Sequence, residues 1–351
     1  MVTIAFPGLG IEPFSFDKVA FTIPVLGGIE VRWYGIVITL GIILAFFYAR
    51  YRSKQEGIIL DDLLDIAIYT VIVAIIGARA YYVLFDIIGN GNAENYKSFI
   101  DYIAIWKGGI AIYGAIIGGA LAVFFVSKIK KLKWQKCFDM IAPGVMIGQI
   151  LGRWGNFFNG EAYGRTPVEG SLLYRFRMEI KHEGWFYSVT AHPTFLYESV
   201  WNLIGFFLIN AFYRKKRFDG EVFLWYITWY GFGRMFIEGL RTDSLYGFAG
   251  LRVSQLVGAA CFIAGFVLTI IFRIKAIKAG TRPVFVTAGG TPVAAAAPVT
   301  VTEKDPESSY SSLLADNDGE AVSDGASGTE DAGSEEVKEN KEDKENKEDK
   351  E

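Results

Sequence analysis

A chain of 351 residues that is 52% hydrophobic, with 28 Phe, 18 Tyr and 8 Trp, is too apolar for an ordinary soluble domain. Its 35 Lys and Arg and 38 Asp and Glu must be segregated, and they are: residues 303–351 hold 18 acidic side chains against 6 lysines, so a whole-chain charge of −3 hides a basic body. Two cysteines, Cys137 and Cys261, exclude a disulfide framework; with no Gly-x-x-x-x-Gly-Lys run and no paired histidines, neither a cofactor nor a metal is expected, and no nucleic acid as partner.

The first 30 residues lack a basic n-region and a small-residue cleavage site, so a segment outside the membrane is expected there rather than a removable signal peptide. A helix needs about 20 apolar residues to cross a bilayer core of about 30 Å. Seven stretches qualify, at 33–51, 63–85, 108–127, 138–151, 193–213, 222–237 and 253–272, the fourth weakened by Pro143, Gly144, Gly148 and Gln149. The expected fold class is an all-α polytopic membrane protein of about seven transmembrane helices, with a small extracytoplasmic head and a disordered cytoplasmic tail.

Orientation follows from Lys and Arg in short loops, which favour the cytoplasmic side. Arg50, Arg52 and Lys54 follow the first stretch; Lys128, Lys130, Lys131, Lys133 and Lys136 the third; Arg214, Lys215, Lys216 and Arg217 the fifth; Arg273, Lys275 and Lys278 the seventh. All four clusters fall on one side. The N-terminus, 89–107, 152–192 and 239–251 are then expected to face outward, and residues 31–278 to form the seven-helix transmembrane domain, with 152–192 its head. From 280 to 351 the chain is rich in Gly, Ala, Pro, Ser and charge, which cannot bury enough apolar surface to order itself.

Ionisable groups at membrane depth are costly and mark functional sites by default. Six places break the apolar pattern: Tyr34; Arg79; Tyr113; the run 152–165 with Arg153, Asn156, Asn159, Glu161, Gly164 and Arg165; His192 to Glu198; and Tyr230 to Arg241. Arg234, Glu238 and Arg241 are spaced i+4 and i+3 and share a helix face. Arg79 fits either a pairing with Asp86 or a place in the site, and Tyr34 and Tyr197 also fit an aromatic belt. Two fixed guanidiniums suit a phosphate, which they grip bidentately where Lys acts as a point charge. Glycines at 152, 155, 160 and 164 allow close approach and tight turns.

In this order the segments resemble the prolipoprotein diacylglyceryl transferase family of bacterial membranes. The resemblance rests on Gly-Arg-Trp-Gly-Asn-Phe-Phe-Asn-Gly-Glu at 152–161, on Arg32-Trp33-Tyr34-Gly35, and on Arg79 with Tyr82-Val83-Leu84-Phe85. It extends to His192-Pro193 with Leu196-Tyr197-Glu198 and to Tyr230-Gly231 with Arg234 and Glu238, covering about residues 15–275. It implies transfer of the diacylglyceryl group of phosphatidylglycerol to the lipobox cysteine of a preprolipoprotein, with membrane lipids as surroundings and the bacterial plasma membrane as location.

It also implies roles. Arg153 and Arg234 hold the phosphate, Asn156 and Glu161 orient the headgroup, and Tyr34 and Gly164 shape the site. Arg153, Arg234, Glu161 and Tyr113 make up the catalytic set; Asn159, Arg79, Glu238, Arg241 and His192 complete the phosphatidylglycerol site. One departure stands out: many members have a histidine, proposed as the base, where this chain has Tyr113. A phenol with a pKa of about 10 is a poor base for a thiol of about 8.5. An orienting role is therefore expected for Tyr113, with Glu161, Glu238 or the lipid phosphate open as proton acceptor, or the Arg field favouring the thiolate directly. The rival readings are an anion transporter or channel lined by Arg79, Arg153 and Arg234, and a non-catalytic lipid-binding scaffold.

Overall fold

The computed structural model describes residues 1–24, 28–242, 252–281 and 283. Among them are seven helices of 18 residues or more: α1 (Trp33–Glu56), α2 (Leu60–Asn90), α4 (Ile112–Ile129), α5 (Trp134–Asn159), α6 (Thr194–Phe212), α7 (Glu221–Leu240) and α8 (Val253–Lys278). A short α3 (Phe99–Ile103) lies between α2 and α4. Five of the long helices, α1, α2, α4, α6 and α8, are long and apolar enough to cross a membrane. Their outer faces carry exposed Ile42, Ile76, Ile116, Phe125, Phe207 and Ile263, as a lipid-facing surface requires. The chain is thus a predominantly helical, polytopic membrane protein.

The helices meet through small residues and paired aromatics. A Cβ on Gly77 would lie 2.5 Å from the Gly114 carbonyl, so α2 and α4 approach backbone to backbone, the packing that serves where lipid supplies no hydrophobic drive. A Cβ on Gly231 would lie 2.6 Å from the Gly258 carbonyl, which does the same for α7 and α8. Between α6 and α7, Trp201 and Trp229 stack at 4.2 Å, and each indole N–H donates to the other's carbonyl, at 3.1 and 3.0 Å.

Strands were not expected, and the structure adds them. β1 (Val2–Phe6), β2 (Ile11–Phe16), β5 (Met178–His182) and β6 (Val189–Ala191) form an antiparallel sheet in the order β2-β1-β5-β6; β3 (Val19–Ile23) and β4 (Ile29–Arg32) form a hairpin leading into α1. Val2 pairs with His182 and Ile4 with Ile180, so the N-terminal segment and the middle of the 152–192 region are one unit. Its core is Val2, Ile4, Met178, Ile180 and Phe195.

A second correction concerns 152–159. The fourth stretch was expected to end at 151 with the head beginning at 152, but 152–159 are the last two turns of α5, with Gly160 at φ 65° as its left-handed cap. Gly152 and Gly155 are therefore helical; only Gly160 makes a tight turn.

At the opposite end of α5, charges counted as loop cations are buried ties. Lys216, 2% exposed, donates to Glu56 at 2.5 Å and to Asp139 at 3.0 Å. Burial opposes its charge, but Asp139 and Glu56 outweigh burial and hold the ammonium above its ordinary pKa. Arg52, 4% exposed, lies 3.9 Å over the Tyr213 ring, and Arg273 pairs with Glu221. The loop expected at 239–251 lies partly, and the tail expected at 280–351 almost wholly, outside the described residues.

Candidate active site

Arg153, Asn156 and Asn159 repeat every three residues along the last turns of α5, and Glu161 follows the cap. Arg153 Nη1 donates to Asn156 Oδ1 at 3.2 Å, while the amides of Asn156 and Asn159 both donate to Glu161 Oε1, at 3.2 and 3.0 Å. The two asparagines thus fix the carboxylate beside the arginine.

α6 supplies the group that joins this array to α7. Glu198, 2% exposed, accepts from Arg153 Nη2 at 2.8 Å through one oxygen and from Arg234 Nη1 at 3.0 Å through the other. Arg234 Nη2 also pairs with Glu238 at 2.6 Å, the i,i+4 contact its spacing predicts, and Arg252 donates to the Glu238 carbonyl. A buried carboxylate stripped of water is stable only when paired. Glu198 holds two guanidiniums from different helices in one geometry.

Each guanidinium has five N–H donors. Among the described residues, Arg153 and Arg234 each engage two nitrogens, and their side chains remain 18% and 15% exposed. Donors are left over for an anion. Tyr34 borders the same place: its ring lies where a Cβ on Gly155 would sit, 2.8 Å away, which explains glycine there, and its phenol lies within electrostatic reach of Glu161 and Arg153. Tyr230 is within reach of Glu198, Arg234 and Arg153.

Three more expected residues meet in a backbone clamp. Gly164 bridges Arg241 in antiparallel fashion; Gly164 N donates to His192 O at 2.9 Å, Arg165 N to Leu240 O at 2.7 Å and His192 N to Arg165 O at 2.9 Å. A Cβ on Gly164 would fall 2.7 Å from His192 Cβ and 2.9 Å from Leu240 O, so only glycine fits. His192 is 7% exposed, contacts the Tyr197 hydroxyl at 3.2 Å, and burial lowers its pKa, which favours the neutral ring.

Two expected residues are engaged elsewhere. Arg79 does not pair with Asp86: it donates to the carbonyls of Asp101, Tyr102, Gly108 and Gly109, at 2.6 to 2.9 Å, pinning the α2–α4 connection. Asp86 accepts instead from Asn90, Asn92 and Tyr96. Tyr113 shares a hydrogen bond of 2.8 Å with Ser254, tying α4 to α8. Glu198 is the residue that sequence reasoning quoted but gave no role. The available signal was an acidic side chain on the apolar helix α6, four residues after Thr194.

Comparison with known proteins gives the family. The family model described as prolipoprotein diacylglyceryl transferase matches residues 18–271. A phosphatidylglycerol-prolipoprotein diacylglyceryl transferase of Clostridium perfringens is 44% identical over 257 residues, 73% of this chain and 94% of the relative. One of Finegoldia magna is 43% identical over 267 residues, 76% and 100% of the two chains. One of Streptococcus suis is 41% identical over 252 residues, 71% and 91%. On a match that spans α1 to most of α8 and includes Arg153, Glu198 and Arg234, the chain belongs to the prolipoprotein diacylglyceryl transferase family.

Proposed function

We propose that the chain transfers the diacylglyceryl group of phosphatidylglycerol to the thiol of a lipobox cysteine in a preprolipoprotein, the first step of lipoprotein maturation. The observation that carries this reading is the pair Arg153 and Arg234, held on one carboxylate with donors to spare. The cysteine sulfur attacks the glycerol carbon that bears the phosphate ester. A C–S bond forms, the C–O bond breaks, and the electron pair leaves on glycerol phosphate. Negative charge grows on the phosphate oxygen, and donors aimed in advance at that position stabilise it in a site poor in water.

In this reading Arg153 and Arg234 grip the phosphate, Asn156, Asn159 and Glu161 orient the glycerol headgroup, and Tyr34 borders it. Glu238 and Glu198 keep the arginines in register, while Gly164, His192 and Arg241 build the wall behind. Tyr113 positions α4 against α8 rather than taking a proton, and the proton of the thiol is balanced by the phosphate monoester that leaves. Arg79 shapes the α2–α4 connection.

The membrane arrangement belongs to the same proposal. α5 and α7 span the bilayer with the other five, the β-sheet unit with 160–192 stands on the outer side of a bacterial plasma membrane, and the acidic tail lies in the cytoplasm. Both substrates are anchored by apolar chains that leave a bilayer only at high cost, so they reach the arginines laterally between helices.

The test incubates the purified full chain in detergent with phosphatidylglycerol and a lipobox peptide and follows the peptide's mass. A gain of one diacylglyceryl group that disappears when the peptide cysteine becomes serine is the expected result. An unmodified peptide beside folded, lipid-bound protein would overturn the transferase reading.

A further inference from the structure

The turn from α1 to α2 and the turn from α4 to α5 face each other across a cavity of about 200 Å3, lined by Glu56, Gly57 and Ile58 on one side and Lys131, Lys133 and Lys136 on the other. Both turns are firmly built. Gly57 is left-handed at φ 73°, with Ile58 N donating to Ser53 O at 2.8 Å; Lys131 is left-handed at φ 57°, uncommon outside glycine, with Leu132 N donating to Ser127 O at 2.8 Å. Ile58 and Leu132 anchor the two turns in one apolar cluster.

The lining itself holds three lysines against one carboxylate. The Glu56 carboxylate is already taken by Lys216 at 2.5 Å and Tyr213 at 2.8 Å. Lys133 reaches Asp219 at 3.2 Å, but Lys131 and Lys136 meet no carboxylate among the described residues, and neighbouring Lys130 is held by Asp62 and Asp65. Lys131 and Lys136 thus line a concavity without a carboxylate of their own, while its one acid, Glu56, shares the Lys216 ammonium with Asp139; a cleft lined mainly by one sign concentrates the opposite ion. The space is smaller than the roughly 300–1,000 Å3 of a drug-sized pocket, which suits a headgroup rather than acyl chains.

This place is not the candidate active site. Lys136 and Arg153 stand 17 residues apart on α5, about 25 Å at 1.5 Å per residue. We propose that the cavity is a second anion site, which binds a phosphate ester of small headgroup size at the end of the bundle opposite Arg153. The phosphate sits among Lys131, Lys133 and Lys136 and ties the start of α5 to the α1–α2 turn.

The experiment is native mass spectrometry of the full chain in non-ionic detergent, titrated separately with glycerol 1-phosphate, short-chain phosphatidylglycerol and short-chain phosphatidylcholine. The wild type is compared with Lys131→Gln/Lys136→Gln and with the charge-preserving Lys131→Arg/Lys136→Arg. The expected result is that the wild type and the Arg variant retain one more anionic ligand than the Gln variant, whose binding there weakens at least tenfold. Phosphatidylcholine is not retained at this site. Retention of glycerol phosphate identifies a soluble phosphoester, and retention of the lipid alone identifies a membrane headgroup; both support the site. Equal retention of anions by wild type and the Gln variant overturns it. So does loss of the extra ligand in an Arg variant that melts at the wild-type temperature, because charge then is not what the cavity reads.

Discussion

Arg153 on α5 donates to the buried carboxylate of Glu198 on α6 at 2.8 Å, and that contact has a twin: the second oxygen of Glu198 accepts from Arg234 on α7 at 3.0 Å. A carboxylate with both oxygens committed sets the spacing and orientation of two cations before any ligand arrives. Preorganisation of that kind lets donors act in a transition state without reorganising.

Glu198→Gln keeps the shape but removes the charge that both guanidiniums share. Removing one partner of a buried ion pair is destabilising by about 3–5 kcal/mol, and misaimed donors typically cost about 10²–10³ in turnover. The expected outcome is transfer activity at least a hundredfold lower together with a lower Tm, while Glu198→Asp recovers part of both. Wild-type activity in Glu198→Gln would mean that the arginines do not depend on it.

Arg153→Lys and Arg234→Lys each keep the positive charge and lose the planar fork. If two-pronged recognition of phosphate matters, each falls at least a hundredfold in kcat/KM, because Lys offers only a point charge, and the Ala variants are inactive although still inserted in the membrane. A drop below about fivefold for the Lys variants would show that charge alone suffices. Initial rates at several phosphatidylglycerol concentrations decide between the two.

Tyr113→Phe tests the departure at that position. Its hydroxyl hydrogen-bonds Ser254 at 2.8 Å, a contact between helices. Loss of a general base lowers rates by about 10²–10⁴ and alters the pH profile; loss of a helix contact lowers them by less than about tenfold and leaves the profile in place. The second result is expected from the pH dependence of kcat/KM.

Acid should weaken the region around the β-sheet unit before it reaches the arginines. His182 and His192 both have pKa values lowered by burial, His182 also by Lys18. The unfolded state, with histidine near 6.5, then binds protons that the folded state resists. This contribution to stability is complete above about pH 6.5 and is lost as the pH falls through the lower folded values. Melting curves from pH 8 to pH 5 should show a declining Tm, and the decline should be shallower in His182→Phe. An equal slope in that variant would remove His182 from the account.

Composition and local spacing were enough to place the long helices and to single out the polar residues that interrupt them. Long apolar stretches can satisfy their backbone in lipid only as helices, so the seven long helices overlap the stretches at 33–51, 63–85, 108–127, 138–151, 193–213, 222–237 and 253–272. Arg153, Asn156 and Glu161 stood out because their cost in an apolar setting is a local property, and Arg234 with Glu238 because i,i+4 spacing is local too. Contacts between residues distant in the chain became visible only in the folded structure. β1 pairs with β5 through Val2 and His182, and strands this short leave no period strong enough to announce themselves. Arg79, left open in the sequence between a pairing with Asp86 and a place in the site, is held instead by four carbonyls of a later connection. Glu198 meets Arg153 and Arg234 across 45 and 36 residues, and only the closure of α5, α6 and α7 on one another brings the three side chains within hydrogen-bond distance.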